Sequence, residues 1–226
     1  MDIIKPTMST NRLLKREMEL WLRRGPDKAM PEVLSLEPER RLINPLISFF
    51  CSREPLLKWH AVTAIGRLMA GLADRDMDSA RIVMRRLMWS LNDESGGIGW
   101  GAPEAMGEIM AGHRRLADEF HAVLISYLDP RQNYLELEAL QPGLLWGVGR
   151  LARSRRELMA KTADFLPPYL SSREPAVRGH AAWAAAAFED ERLRLLLTEL
   201  AADDQPFYLY RNLRLEEVSI REIINL

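Results

Sequence analysis

The stretch Ser172–Phe188 reads SREPAVRGHAAWAAAAF, and the chain has already spelled a near-copy at Ser52–Ala70, SREPLLKWHAVTAIGRLMA. Ser, Arg, Glu, Pro, a basic residue, His and Ala recur in the same order, 120 positions apart (52 to 172). In each copy a proline precedes a run of helix-forming residues, and a missing N–H costs nothing in the first turn of a helix. Two weaker copies lie between. Small residues align the four at Gly66, Gly107, Gly149 and Ala186, which are 41, 42 and 37 residues apart. Periods near 40 belong to two-helix repeat units. Pro55, Pro103, Pro142 and Pro175 each stand near an inner-helix start.

The repeat predicts four inner helices, near 55–71, 102–112, 142–153 and 175–188. Four outer helices are predicted near 42–51, 79–91, 115–128 and 156–170. Small residues at the aligned position suit close approach of neighbouring helices. The expected fold is all-α, an α-α superhelix with parallel inner helices and a small C-terminal β-hairpin. It is expected as one repeat domain: a helical cap over 1–41, repeats over 42–202, and the hairpin with a short helix over 203–226.

Outward from the repeats, Ser9 or Thr10 can cap a helix over Asn11–Arg24, striped by Leu13, Leu14, Met18, Trp21 and Leu22 and stopped by Gly25-Pro26. Pro31, Pro38 and Pro45 punctuate the next short segments, the last leading into Leu46–Cys51. The loop Asn92–Gly101, NDESGGIGWG, carries four glycines, and Ser95–Gly99 is expected to be among the most mobile internal segments. Glu189–Ala202 reads as a helix that caps the stack. Phe207–Tyr210 is strand-like, Asn212 can turn the chain, Arg214–Val218 can pair back, and Ser219 can cap a last short helix.

Composition bounds the function classes. The chain has 226 residues, 47% hydrophobic and 28% charged, the profile of a soluble globular protein. Its 31 Lys plus Arg against 32 Asp plus Glu leave a net charge of −1, so no global excess draws it to nucleic acid or acidic lipid. One cysteine, Cys51, excludes an internal disulfide framework and is expected as a small core residue. No apolar run approaches a membrane span or a signal peptide, so no membrane association and a cytoplasmic location are expected.

The run Pro175-Ala176-Val177-Arg178 followed by Ala181 and Ala182 resembles the second helix of a HEAT repeat, of the kind in phycobilisome-lyase-like HEAT proteins. The likeness is good at 172–188, fair at 52–70, and weak at 100–112 and 142–153, covering about two thirds of the chain. It implies an α-superhelix and usually a binding scaffold. It transfers no catalytic residues, because the motif consists of packing positions.

Placing the inner helices in register yields a row away from the main apolar face. His60, Gly101, Gly143 and His180 share one position. Three residues on stand Thr63, Glu104, Trp146 and Trp183, and four further stand Arg67, Glu108, Arg150 and Ala187. Spacing of i, i+3, i+7 puts each set on one helix face. In a superhelix that face lines the concave groove. The expected groove residues are therefore His60, Arg67, Trp100, Glu104, Glu108, Trp146, Arg150, His180 and Trp183, partly open to solvent. Arg67, Glu108 and Arg150 alternate in sign, as an inter-repeat ion-pair ladder or a charged groove floor would. Trp59 and Trp100 are mutually aligned, flanking the groove or packing beneath it.

Chemistry fares less well. None of His60, His113, His121 and His180 forms a metal-binding pair, and the His-Glu pairs of HEAT-repeat iron hydroxylases are missing. Asp74, Asp76 and Asp78 imitate an EF-hand loop, but Ser79 replaces its glycine and Arg85 its final glutamate. Glu104 and Glu108 stand one turn apart, a spacing open to acid/base work, but a solvated or ion-paired face is the favoured explanation. GGIGWG lacks the lysine of a phosphate loop. The basic clusters Arg85-Arg86, Arg114-Arg115 and Arg153-Ser154-Arg155-Arg156 fall on outer helices or turns.

The expectation is a non-enzymatic scaffold, without cofactor or metal, that binds a protein or peptide through its concave face. The rival readings are a HEAT-like DNA-repair glycosylase, which the mixed charge row speaks against, and a tetrapyrrole lyase or chaperone, supported only by the family likeness.

Overall fold

The computed structural model describes residues 11–28, 38–92 and 98–224. Ser9, Thr10, Pro31 and most of the Ser95–Gly99 segment lie outside these. The order is α1 (Asn11–Arg24), α2 (Glu39–Ser48), α3 (Pro55–Arg75), α4 (Met77–Leu91), α5 (Ala102–Gly112) and α6 (Arg114–Ser126), then α7 (Gln141–Ser154), α8 (Pro167–Leu170), α9 (Pro175–Ala185) and α10 (Glu191–Glu199). The hairpin β1 (Pro206–Arg211) and β2 (Arg214–Ser219) comes next, then α11 (Ile220–Ile224). The chain is an α-α solenoid carrying one two-stranded antiparallel sheet.

The inner row is α3, α5, α7 and α9, each packed on the next. A proline stands at the first or second position of all four. The recurrent Ser-Arg-Glu-Pro acts locally in the same way twice. The Ser52 hydroxyl accepts from Glu54 N–H at 3.1 Å and the Ser172 hydroxyl from Glu174 N–H at 3.2 Å, turning the chain into α3 and α9. The small residues act where expected. A Cβ on Gly107 would stand 2.4 Å from Cα of Gly147 on α7, and one on Gly147 would stand 2.5 Å from the Pro103 carbonyl oxygen of α5. These two helices touch backbone to backbone.

Four expectations are corrected. The outer segment at 156–170 is not one helix: 3₁₀ turns at Arg156–Leu158 and Ala160–Phe165 precede the four-residue α8. Pro167 and Pro168 favour this: proline costs least in a helix's first turn, and α8 starts on the pair. Pro45 does not precede its helix but lies inside α2, where Leu42, Ile43 and Leu46 are buried around it. Cys51 is exposed, since α2 ends at Ser48 and the chain turns away after Phe49 and Phe50. Leu13 is 52% exposed, and the buried stripe of α1 is Leu14, Met18, Trp21 and Leu22.

The hairpin forms where the alternation of Phe207, Leu209 and Val218 places apolar side chains on one face. These three are buried, while Tyr208 is exposed. Asn212 and Leu213 form a two-residue turn with φ of 50° and 61°, flanked by the pair Arg211 and Arg214. Positive φ at both central residues matches the right-handed twist of the strands. Ser219 and Glu222 close a capping box: the Ser219 hydroxyl accepts from Glu222 N–H at 3.3 Å and the Glu222 carboxylate from Ser219 N–H at 2.6 Å.

Candidate functional site: the concave face and its cleft

The hairpin lies on the inner helices. β1 packs against α9 and β2 against α3, so the two strands reach from the last inner helix to the first. Contact is close at both ends. A Cβ on Gly179 would stand 2.4 Å from the Phe207 ring, which meets His180 edge-on at 5.1 Å between centroids. At the other end the His60 ring nitrogens face the carbonyls of Leu22 at 2.6 Å and Leu213 at 3.3 Å.

Between these ends, Tyr210 is the centre of the contact. Its ring stacks on Trp59 at 4.9 Å and 9°, and its hydroxyl bonds the Thr63 hydroxyl at 2.9 Å. Its carbonyl accepts from Trp146 Nε1–H at 2.8 Å. Burial pushes the Tyr210 hydroxyl up to about 12. Trp146 meets Trp59 at 4.6 Å and stacks on Trp183 at 6.0 Å, so three tryptophans from α3, α7 and α9 form a continuous row under the hairpin.

The expected open groove is thus corrected. His60, Glu104, Trp146, His180 and Trp183 are all buried, none more than 8% exposed. Register placed them on the same side, and the chain's own hairpin covers that side. Trp100 stands apart in the turn before α5, 37% exposed and outside the row of stacked rings. The ladder is also partial. Arg150 Nε donates to Glu108 at 2.6 Å, but Arg67 pairs with Asp27.

Glu104 and His180 are two further buried polar groups of the inner helices. Glu104 lies over Gly143, whose missing side chain makes the room, and accepts from Lys58 Nζ at 2.5 Å. Its second oxygen, Oε2, has no hydrogen-bond partner. His180 Nδ1 bonds the Ala176 carbonyl at 2.7 Å and its Nε2 has none. Burial pulls this imidazole down to about 4, with Lys58 acting the same way and Glu104 opposing. Both side chains are enclosed by protein, and each keeps one buried polar atom without a hydrogen-bond partner.

One part of the concave side stays open, beside the hairpin tip. A cleft of about 900 Å³ is bounded by Arg67, Glu108, Arg150 and Arg153 from the inner helices and by Arg211 and Leu213 from the hairpin, with Trp183 in its wall. Arg67, Glu108, Arg150 and Trp183 belong to the row predicted from the register, whereas Arg153, at the end of the predicted inner helix 142–153, belongs to a basic cluster expected on outer helices or turns. Arg153 lies in the last turn of α7 and lines the cleft. Its guanidinium lies 3.9 Å over the Trp183 ring and donates to the Trp183 carbonyl at 2.5 Å and the Gly149 carbonyl at 3.1 Å. The available signal was spacing: Arg153 is three residues beyond Arg150, hence on the same helix face. Hairpin residues in the wall had no such signal, because the repeat register does not extend to them.

A second cavity, about 500 Å³, lies at the other end of the inner helices between Asp129, Tyr134, Gln141 and Tyr169. Its two acids are already paired: Arg131 and Gln132 hydrogen-bond Asp129 and hold its carboxyl at about 2, and Asp164 pairs with Arg192. Among the described residues no three His, Cys, Asp or Glu side chains gather as metal ligands, and no helix is long and apolar enough to cross a membrane. Asp76, from the EF-hand-like run, caps α4 by accepting from Ser79 N–H at 3.1 Å.

The fold and this cleft define a helical-repeat solenoid. Comparison with solved structures agrees. A crystal structure of computationally designed armadillo repeat proteins for modular peptide recognition aligns with a TM-score of 0.52 at 15% identity, covering 98% of this chain and 93% of the other. An engineered protein aligns at 0.53 and 15%, covering 91% of each. No family model matches the chain. A curated relative, an uncharacterised protein of Archaeoglobus fulgidus, is 30% identical over 112 residues, which is 50% of this chain and 55% of the relative. The match therefore spans about half the length of that relative.

Proposed function

We propose that the protein is a HEAT-type repeat scaffold, without catalytic activity of its own, that binds a peptide segment of a partner protein in the cleft beside its hairpin tip. The observation that carries this reading is the cleft itself: 900 Å³ of open space on the concave side, at the level where the register places Arg67, Glu108, Arg150 and Trp183. The rest of that side already holds a stretch of extended backbone. Trp146 donates to a main-chain carbonyl of β1, and Trp59 stacks on its tyrosine. Inner-helix side chains of this solenoid are thus suited to hold a strand by its backbone and by its aromatic side chains. A partner segment would continue along the same row where the hairpin ends. The designed armadillo neighbours, made for peptide recognition, have the same overall fold.

The test is selection of a displayed random-peptide library, of peptides about twelve residues long, enough to span the cleft when extended. The full chain is the immobilised target. Hydrogen exchange with and without the best peptide then maps its site. Expected are peptides that slow exchange in the last turns of α7 and α9 and at the hairpin tip. No enrichment, or protection confined to the outer helices, would overturn the reading.

A further inference from the structure

The cleft's charges do not cancel. Arg67 pairs with Asp27, Arg150 with Glu108, and Arg211 with Glu216 at 2.6 Å. That uses both acids lining the cleft. Arg153 is left with no carboxylate among the described residues; its guanidinium meets two neutral carbonyls and the face of Trp183. Resting on the peptide-binding reading above, we infer that the cleft selects an acidic segment, and that Arg153, with Arg150 beside it, receives an Asp or Glu side chain of the partner.

Three features favour this occupant. First, the guanidinium is pre-set: stacked on Trp183 and tied to two carbonyls, it loses little freedom on binding a planar carboxylate, and it keeps N–H groups unspent. Second, its charge is uncomfortable as it stands. Surrounding protein and the like charge of Arg150 pull it down to about 10, well below an ordinary arginine. An incoming carboxylate supplies the opposite charge that offsets both effects, whereas a cationic or apolar side chain does not. Third, Arg153 is exposed on its open flank, so a ligand can reach it without rearrangement. Leu213, Ile223 and Ile224 in the same wall give apolar contacts beside the charge. The expected ligand therefore alternates carboxylates with aliphatic or aromatic residues.

The same peptide selection decides this. The enriched peptides should carry an excess of Asp and Glu over the starting library. The best of them, titrated by fluorescence anisotropy, should weaken about tenfold or more with Arg153→Met, as loss of a charge-assisted bond requires. Arg153→Lys, which keeps the charge without the fork, should weaken it less, and Arg12→Ala on exposed α1 should change nothing. Raising salt from ~50 to ~500 mM should also weaken binding. Thermal melts check folding, and if Arg153→Met proves unfolded, the lysine variant and the salt series still decide. Neutral or basic peptides that protect the cleft would overturn the acidic inference and leave the peptide-binding reading standing. So would acidic peptides indifferent to Arg153→Met. Absence of any cleft-binding peptide removes the reading on which both rest.

Discussion

Tyr210 ties the hairpin to two inner helices, α3 and α7. Its ring, hydroxyl and carbonyl each meet a different inner-helix side chain: Trp59, Thr63 and Trp146. Tyr210→Phe keeps the stack and strands the Thr63 hydroxyl, which is 5% exposed, so it should cost about 1–2 kcal/mol in denaturant unfolding. Tyr210→Ala loses the ring as well and should cost about 3–5 kcal/mol. Equal losses would mean the stack contributes nothing. His180 contributes a pH dependence of known sign. Its folded value is lowered to about 4, against about 6.5 when unfolded. Between these values the unfolded chain binds more protons, so stability rises with pH across the window and falls as pH drops below 6.5. From pH 7 to pH 5 the loss is about 2 kcal/mol. Comparing the chain with its His180→Gln variant at both pH values isolates it. A variant that loses as much stability as the parent between them would refute the assignment.

At the scale of elements, α5 and α7 show why the aligned positions are small. Gly107 faces the Gly147 backbone, which cannot move aside without separating the helices. Alanine is the better helix former by about 1 kcal/mol, yet Gly107→Ala should destabilise, since crowding of this kind costs about 1–3 kcal/mol. Gly71 in α3 is the control. A Cβ there would meet only the Arg75 guanidinium, at 3.2 Å, and that end of a long side chain can swing. Gly71→Ala should therefore stabilise by up to about 1 kcal/mol. The opposite signs of the two substitutions, read from melts, are the expected result. The repeat register foretold the first position and said nothing of the second.

For the molecule as a whole, a solenoid's units touch only their neighbours, and its stability is a sum of local terms. The hairpin breaks that rule, because it bonds α3 through His60 and Thr63 while Phe207 packs on α9. It couples the first inner helix to the last. A variant ending at Gln205 should lose this coupling: its unfolding should broaden, with helix circular dichroism and tryptophan emission no longer coincident. Its tryptophan emission should also shift to the red as Trp59 and Trp146 meet water. A single sharp transition in the variant would show that neighbour contacts alone make the stack cooperative.

Periodicity and local chemistry were enough for the repeat, the inner helices and the hairpin. The prolines at helix starts, the Ser-Arg-Glu-Pro turns, the turn at Asn212 and the cap at Ser219 are short-range devices, legible wherever they stand. The same register put His60, Trp146, His180 and Trp183 on one side, because equivalent positions of equivalent helices point alike. The segment lying against that side was not legible. Burial of His60 depends on the Leu213 carbonyl, 153 residues away, and no period links the two. A helix pattern records which face is apolar or aromatic, but not whether solvent or another segment meets it. Only the packed chain decided that the hairpin takes most of the concave face. The packed chain also turned Arg67 to Asp27 rather than Glu108, leaving Arg153 as the cation in the cleft without an acid among the described residues.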